Sequence, residues 1–307
     1  MLKRMSTCPK TAVVGASGFI GRCFLRKYRM RYPDCIGTGR DPIGRDIARF
    51  ELSRPAIDHL KLAVSGHKDA LILAGVTKMD VCERDKDQTR RINVEGTLDL
   101  VSRLVKEGIK PIYFSSDIIF DGRTGSYGED ALPQPLNEYA RQKAEVEAGI
   151  KSICPRGHYL IVRVSKVFGL DKGDGSLLDA MAATLEEGRR LWAAYDQIFS
   201  PICMHDLVDI VSHLQGLDAT GIFNVNPPET WSRYDLAVAL AGALGLNPAR
   251  VERIALGDLA EGFERPRNTT MKADKVLEET GFRFKATQNY IEVIAGNWRK
   301  YAAVEQD

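Results

Sequence analysis

The sequence predicts an α/β protein with a doubly wound parallel sheet. Short runs that are apolar nearly throughout alternate with stretches whose apolar residues recur at helical spacing. Strands that helices cover on both faces have this composition, because none of their side chains faces water. The predicted strands of the sheet are Thr11–Val14, Cys35–Thr38, Ala70–Ala74, Ile112–Ser115, Leu160–Val164 and Ile222–Val225.

Amphipathic helices are predicted between these strands, and helices dominate the chain beyond about residue 169. In that part the predicted helices cover residues 177–187, 206–214, 234–244 and 272–279, with a short strand over 191–194. Ser232 is a suitable N-cap for the third of these helices. We therefore expect a larger domain over residues 1–170, to which residues of about 196–228 return, and a smaller interleaved α/β lobe over 171–307.

Composition and charge limit the classes of partner. The 307-residue chain has 43 basic and 41 acidic side chains, so its net charge of +2 argues against nucleic acid or a membrane as the main partner. Its start lacks the apolar run of a signal peptide. The six cysteines and five histidines show no metal-site spacing. We expect a cytoplasmic protein with free thiols and no metal.

Three glycines follow the first predicted strand with the spacing of a dinucleotide-binding turn. Gly15 permits the sharp turn, Gly18 lets a pyrophosphate approach the backbone, and Gly21 lets the next helix pack on the sheet. A glycine-rich turn that binds nothing is the alternative, but the flanking strand and helix favour an NAD(P)-binding Rossmann fold. The predicted cofactor contacts of this turn are Gly15, Ser17, Gly18, Phe19, Ile20 and Gly21.

The residues after the second predicted strand favour NADP(H). An NAD-binding chain normally has Asp or Glu there to bind the ribose hydroxyls, but this chain has Gly39 followed by Arg40. A guanidinium can pair with a 2′-phosphate through two hydrogen bonds. NAD(H) stays open, because Asp41 could contact the ribose while Arg40 faces solvent.

A hydroxyl, a phenol and an ammonium form the candidate catalytic set. Tyr139 and Lys143 are four residues apart and lie on one face of a helix, and Ser116 ends the fourth predicted strand. We expect the Lys143 ammonium and an oxidised nicotinamide ring to lower the pKa of the Tyr139 phenol, so that it exchanges a proton with substrate. Ser116 could hydrogen-bond a substrate carbonyl.

Together these segments resemble the extended short-chain dehydrogenases/reductases, and within them the dTDP-4-dehydrorhamnose reductases. The resemblance covers nearly the whole chain and includes the glycine turn and residues 74–80, 93–97, 115–117, 120–122, 135–137, 196–197, 200–201 and 265–266. It implies Ser116, Tyr139 and Lys143 as the catalytic set, with Tyr139 and Lys143 also at the cofactor. It further implies cofactor contacts from Ala74, Gly75, Thr77 and Asn93, and substrate contacts from Lys78, Asp117, Lys166, Gln197 and Arg265.

Two residues depart from the family pattern at positions that face the sugar. Ile118 stands where a Tyr is usual, and Lys166 stands where a Trp is usual. These changes suggest a different sugar, such as one with a carboxylate, although Lys166 could equally be a surface lysine. For Arg265, the fork of the guanidinium suits a substrate diphosphate, and a solvated loop arginine is the alternative.

The predicted reaction is NADPH-dependent reduction of a nucleotide-linked 4-keto-6-deoxy sugar. A dehydratase is disfavoured, because Ile118 follows Asp117 where dehydratases have a second acid. A sugar-nucleotide epimerase and a non-catalytic NADP-binding regulatory subunit are the alternatives, and the intact Ser116, Tyr139 and Lys143 argue against the second. The expected partner is a small nucleotide sugar, and a homodimer is left open.

Overall fold

A computed structural model describes residues 7–41, 47–154, 156–259 and 262–304, with side chains as far as Lys300. Within these ranges the strands in chain order are β1 (Thr11–Val14), β2 (Gly37–Gly39), β3 (Ile47–Arg49), β4 (Asp69–Ile72), β5 (Lys110–Ser116), β6 (Leu160–Val164), β7 (Val167–Phe168), β8 (Leu191–Ala194), β9 (Ile198–Phe199), β10 (Ile202–Cys203), β11 (Gly221–Val225), β12 (Trp231–Ser232) and β13 (Val251–Ile254).

Helices connect these strands. In chain order they are α1 (Phe19–Arg29), α2 (Met79–Arg84), α3 (Lys86–Arg90), α4 (Thr97–Lys106), α5 (Glu138–Ile153), α6 (Leu177–Glu186), α7 (Met204–Gly216), α8 (Arg233–Leu244), α9 (Asp274–Thr280) and α10 (Thr287–Val304). A π-helical turn, Arg91–Gly96, joins α3 to α4. In the ranges that the structure describes, no helix combines the length and apolar character of a membrane span.

The largest sheet has seven parallel strands in the order β11-β6-β5-β4-β1-β2-β3. The chain winds outward from β1 in one direction and then from β4 in the other. A sheet of this topology opens a crevice at the carboxyl ends of the two central strands, where ligands bind. The predicted α/β class and doubly wound Rossmann fold are confirmed, and β1 and β6 match their predicted bounds at both ends.

Apolar side chains form a core on each face of the large sheet and a third core in the smaller lobe. Helices α1 and α7 pack on one face of the sheet, and α4 and α5 pack on the other. The third core lies between α6, α8 and α10. Helix α9 packs against the large sheet through Val276, although it lies within the range predicted for the smaller lobe. Neither β3 nor α10 was predicted.

A buried ion pair fixes α5 against β6. Arg163 of β6 donates two hydrogen bonds to Glu147 of α5, with Nε–Oε1 and Nη2–Oε2 distances of 3.0 and 2.7 Å. A third bond joins Arg163 Nη1 to the Glu129 carbonyl at 3.1 Å. Both charged side chains are almost fully buried. Buried charges of this kind are tolerated only when they are paired and hydrogen-bonded, so the pair specifies where α5 lies.

The Glu147→Gln variant would leave the buried Arg163 guanidinium without its counter-charge. We expect the free energy of unfolding, measured with urea, to fall by about 3–5 kcal/mol. Glu145→Gln, which removes one partner of the exposed Arg90–Glu145 pair on the same helix, is the matched control. It should cost at most about 1 kcal/mol. Equal losses in the two variants would contradict the anchoring role of Glu147.

Candidate active site

The predicted dinucleotide turn lies at the carboxyl end of β1, beside the loop that follows β4. Gly15 has a φ of +95°, and a Cβ on it would lie 2.6 Å from the Ala74 backbone nitrogen. A Cβ on Gly21 would lie 2.2 Å from the Gly15 carbonyl oxygen. Any larger side chain at either position would push the turn away from β4 or from α1. The two glycines therefore bring three backbone segments into contact at the crevice.

The start of α1 can bind an anion. Gly18 is the N-cap and offers no side chain to the helix, and the first turn contains no acidic residue. The first backbone N–H groups of α1 are therefore available to a ligand phosphate, which the helix dipole also favours. Ser17, Phe19 and Ile20 lie in the same turn, where the sequence placed the cofactor contacts.

The end of β2 leaves little room at position 39. A Cβ on Gly39 would lie 2.7 Å from Ser17 Oγ, so an acid at this position would require the Ser17 side chain to rotate away. Arg40 follows, with 82% of its side chain exposed and an Nε–Asp41 Oδ2 distance of 3.3 Å. This edge of the crevice thus has a small hydroxyl and an exposed guanidinium where NAD-binding chains present a carboxylate.

Asn93 fixes the loop that follows β4. Its Oδ1 accepts from the Val76 backbone nitrogen at 2.7 Å, and its Nδ2 donates to the Val76 carbonyl at 2.9 Å. The same Nδ2 lies 2.8 Å from Gln142 Oε1 on α5. Asn93 belongs to the π-helical turn, a feature that is frequent at functional sites. It joins the loop bearing Gly75 and Thr77 to the helix that bears the predicted catalytic pair.

Tyr139 and Lys143 lie on one face of α5, as predicted, and both are half-buried. Lys143 Nζ donates to the Phe114 carbonyl at 2.7 Å and lies 4.6 Å from the centre of the Tyr113 ring. It lies 5.7 Å from the centre of the Tyr139 ring. The ammonium is therefore held by β5, beside the phenol.

Burial controls the ionisation of this pair. It raises the pKa of Tyr139 well above its ordinary value, and the nearby Cys82 and Asp117 raise it further. It lowers the pKa of Lys143 to about 8, against an opposing effect of Glu147. In the polypeptide alone, the pKa of Tyr139 is therefore raised and not lowered as expected, because the loss of hydration dominates.

Ser116 ends β5 beside a buried carboxylate. Its Oγ donates to Asp117 Oδ1 at 3.0 Å. Asp117 Oδ2 accepts from Ser165 Oγ at 2.8 Å and from Thr269 Oγ1 at 2.7 Å. Asp117 is only 1% exposed. Both of its oxygens bind hydroxyls of the protein, and its predicted contact with substrate stays a prediction.

A narrow hollow of about 10 Å³, lined in part by Ile118 two residues after the end of β5 and here called the substrate hollow, brings together three of the predicted substrate residues. Its lining includes Met79, Ile118, Lys166, Gln197, Arg265 and Thr269. Lys78 is exposed at the N-cap of α2, next to Met79. Arg265 also borders an adjoining cavity of about 260 Å³, and its guanidinium lies 5.1 Å from the centre of the Phe263 ring.

Three residues of the site were missed as site residues by sequence reasoning. Asn137 caps α5, Gln142 bonds Asn93, and Thr269 bonds Asp117. Asn137 had a detectable signal, since Asn before a helical pattern is a typical N-cap. Nothing in the sequence pairs Thr269 with Asp117, which is 152 residues away. Among the described residues, no three His, Cys, Asp or Glu side chains come together as metal ligands.

Comparison with known proteins identifies similar chains. The family model described as the RmlD substrate binding domain matches residues 10–298. Methionine adenosyltransferase 2 subunit beta of Danio rerio is 26% identical, covering 91% of this chain and 87% of its own. The probable low-salt glycan biosynthesis reductase Agl14 of Haloferax volcanii is 25% identical, covering 88% of this chain and 91% of its own.

Solved structures share the fold. The dTDP-4-dehydrorhamnose reductase of Bacillus anthracis, solved in complex with NADP, superimposes with a TM-score of 0.78 and 20% sequence identity. The superposition covers 95% of this chain and 99% of that protein.

The lowered pKa of Lys143 predicts a pH-dependent stability. Below pH 8 the folded protein holds a poorly hydrated ammonium, and this cost disappears as the pH rises toward 10.5, because the unfolded chain then binds more protons. The free energy of unfolding of the natural chain, relative to Lys143→Met, should therefore rise by about 3 kcal/mol between pH 7 and 10.5. Urea unfolding of both proteins measures it.

Lys106→Met, at an exposed site of α4, is the control for this experiment. Its difference from the natural chain should stay constant over the same pH range. A difference for Lys143→Met that is also constant would contradict the lowered pKa.

Proposed function

Because the chain belongs to the RmlD substrate binding domain family, we propose that it is an oxidoreductase that reduces the carbonyl of a nucleotide-linked 4-keto-6-deoxy sugar with NADPH. One observation carries this proposal. The Lys143 ammonium bonds the Phe114 carbonyl of β5, two residues before Ser116, and lies 5.7 Å from the centre of the Tyr139 ring, beside the crevice of a dinucleotide-binding fold. A hydroxyl, a proton donor and a cation are the groups that carbonyl reduction requires.

The crevice fits a dinucleotide, which would supply the hydride. Gly15 and Gly18 would let the pyrophosphate approach the start of α1, and Asn93 would keep the loop with Ala74, Gly75 and Thr77 at the nicotinamide side. Arg40 and Ser17 would bind the 2′-phosphate, which favours NADP(H) over NAD(H). Solved structures with this fold include complexes with NADP and with NAD, so the preference rests on Arg40 and Ser17.

The ionisation of the protein suits reduction. The raised pKa of Tyr139 keeps the phenol protonated at neutral pH, so it can donate a proton to the carbonyl oxygen as the hydride reaches the carbonyl carbon. Ser116 would rotate its hydroxyl from Asp117 Oδ1 to the same oxygen, while Ser165 and Thr269 keep their bonds to Asp117 Oδ2. Lys143 would bind the nicotinamide ribose from its position on α5, where its ammonium bonds the Phe114 carbonyl of β5.

The substrate hollow marks where the rest of the ligand would bind. Its volume is only about 10 Å³, so Ile118, Lys166 and Gln197 would have to move apart for the sugar to lie between them. Arg265 lies between the hollow and the adjoining cavity and would bind the diphosphate, with the nucleoside in that cavity. Lys166 in place of an aromatic residue supports a sugar with a hydrogen-bond acceptor or a carboxylate at that contact.

A regulatory subunit is the second candidate. It is favoured by the similarity along most of the chain to a protein named as a subunit of methionine adenosyltransferase. A protein of this kind would bind a dinucleotide and a partner protein without consuming the cofactor. Net oxidation of NADPH separates the two candidates, and it also separates a reductase from an epimerase, which regenerates its cofactor.

The first test is oxidation of NADPH against a panel of nucleotide-linked 4-keto-6-deoxy sugars. We expect turnover with at least one sugar. Tyr139→Phe should lower kcat by about 10²- to 10⁴-fold, because the general acid is lost, while the Kd for NADPH stays nearly constant. Tyr32→Phe, on the far side of the molecule after α1, is the matched control. Equal turnover by Tyr139→Phe would refute the assigned role.

Cofactor preference is a separate prediction. Arg40→Ala should raise the KM for NADPH by about 10- to 100-fold, because a charge-assisted bond to the 2′-phosphate is lost. The KM for NADH should stay within about twofold. Arg103→Ala, which removes an exposed arginine of α4, should change neither value. An unchanged preference in Arg40→Ala would assign the phosphate to other residues.

A further inference from the structure

A segment of the smaller lobe returns to the large domain and carries Arg265. We call residues 264–272 the return segment. Its second half is tied to the loop after β5 by the Asn268 nitrogen, which donates to the Gly122 carbonyl at 3.0 Å. Gly122 has a φ of +69°, and a Cβ on it would lie 2.5 Å from Pro266 Cβ, so the two backbones are in close contact. Thr269 adds its bond to Asp117.

The first half of the return segment is tied to the catalytic helix by Asn137. Asn137 Nδ2 donates to the Glu264 carbonyl at 3.0 Å. Its Oδ1 accepts from the Ala140 nitrogen at 3.0 Å, which caps the first turn of α5. Asn137 is fully buried. One amide therefore links the residue before Arg265 to the helix that begins one residue before Tyr139.

The two bonds of Asn137 require an amide. Capping needs an acceptor, and the bond to a carbonyl needs a donor on the same short side chain. Serine and aspartate are N-caps of similar quality. Neither can keep the second bond, because serine is too short to reach both groups and an ionised aspartate has no proton to donate. The capping role alone therefore does not explain asparagine here.

We propose that Asn137 is a positioning residue that acts through Arg265. It holds the Arg265 backbone at a fixed distance from Tyr139, so that a substrate whose diphosphate binds Arg265 presents its carbonyl to the phenol. Two hydrogen bonds flank Arg265 in the chain. On one side the Glu264 carbonyl accepts from Asn137, and on the other the Asn268 nitrogen donates to the Gly122 carbonyl. This inference rests on the proposed function, in which Arg265 binds the diphosphate of a nucleotide sugar.

Binding of dTDP and of UDP to the NADP-loaded protein, measured by calorimetry, tests the proposal without turnover. Asn137→Ser should weaken binding of whichever nucleotide the natural chain binds by about 3- to 10-fold, because one hydrogen bond that positions Arg265 is lost. The Kd for NADPH and the Tm should stay nearly unchanged, because serine keeps the cap. Asn137→Thr, which also keeps an uncharged capping acceptor, is the second variant, and the same pattern is expected.

A double-mutant cycle tests the route through Arg265. In an Arg265→Ala background, Asn137→Ser should cause no further loss of nucleotide affinity, since the group that it positions is absent. Losses that multiply in the double variant would overturn the proposal. Unchanged nucleotide affinity in both Asn137 variants would also overturn it, as would losses accompanied by equal losses of NADPH affinity and Tm.

The outcome separates this inference from the function on which it rests. If the natural chain binds neither nucleotide, the proposed substrate class fails and the inference fails with it. If the natural chain binds a nucleotide through Arg265 and the Asn137 variants bind it equally well, only the role of Asn137 fails.

Discussion

The candidate active site depends on one buried carboxylate that binds three hydroxyl groups. Asp117 joins Ser116 at the end of β5, Ser165 at the end of β6 and Thr269 of the return segment. A carboxylate excluded from water is costly unless hydrogen bonds replace its hydration, so these three segments have one favourable arrangement around it. The position of the predicted catalytic hydroxyl and the approach of the smaller lobe are therefore set by the same group. This also explains why Asp117 does not face the substrate hollow.

Separate hydrogen bonds fix helix α5 at three points along its length. Asn137 ties its first turn to the return segment, Gln142 ties its middle to Asn93, and Glu147 ties its second half to Arg163. Each tie uses a buried or partly buried polar group whose loss would leave a partner unsatisfied. The phenol of Tyr139 is thus presented by a rigid helix in a poorly hydrated place. Its raised pKa follows from that position, and a protonated phenol is the form that a reduction uses.

Local patterns predicted much of the fold and part of the site. Strands β1 and β6 were predicted at both ends because both of their faces are buried, whereas the half-exposed β3 has no such pattern. The glycine turn was predictable because its spacing reflects backbone contacts. The direction of the Tyr139 pKa shift could not be predicted, because the sequence shows the neighbouring charge of Lys143 but not the burial of the phenol. The bond between Thr269 and Asp117 also depends on tertiary structure, since the two residues are far apart in the chain.

The intact Ser–Tyr–Lys set is weaker evidence for catalysis than the sequence suggested. Lys143 binds a backbone carbonyl of β5 and lies over the Tyr113 ring, and Ser116 binds Asp117. Both side chains therefore have structural partners that a non-catalytic subunit would also retain. Tyr139 distinguishes an enzyme from a non-catalytic subunit better, because the bonds that fix α5 come from other residues of the helix. If the protein only bound a dinucleotide and a partner, those bonds would hold α5 equally well around a phenyl ring.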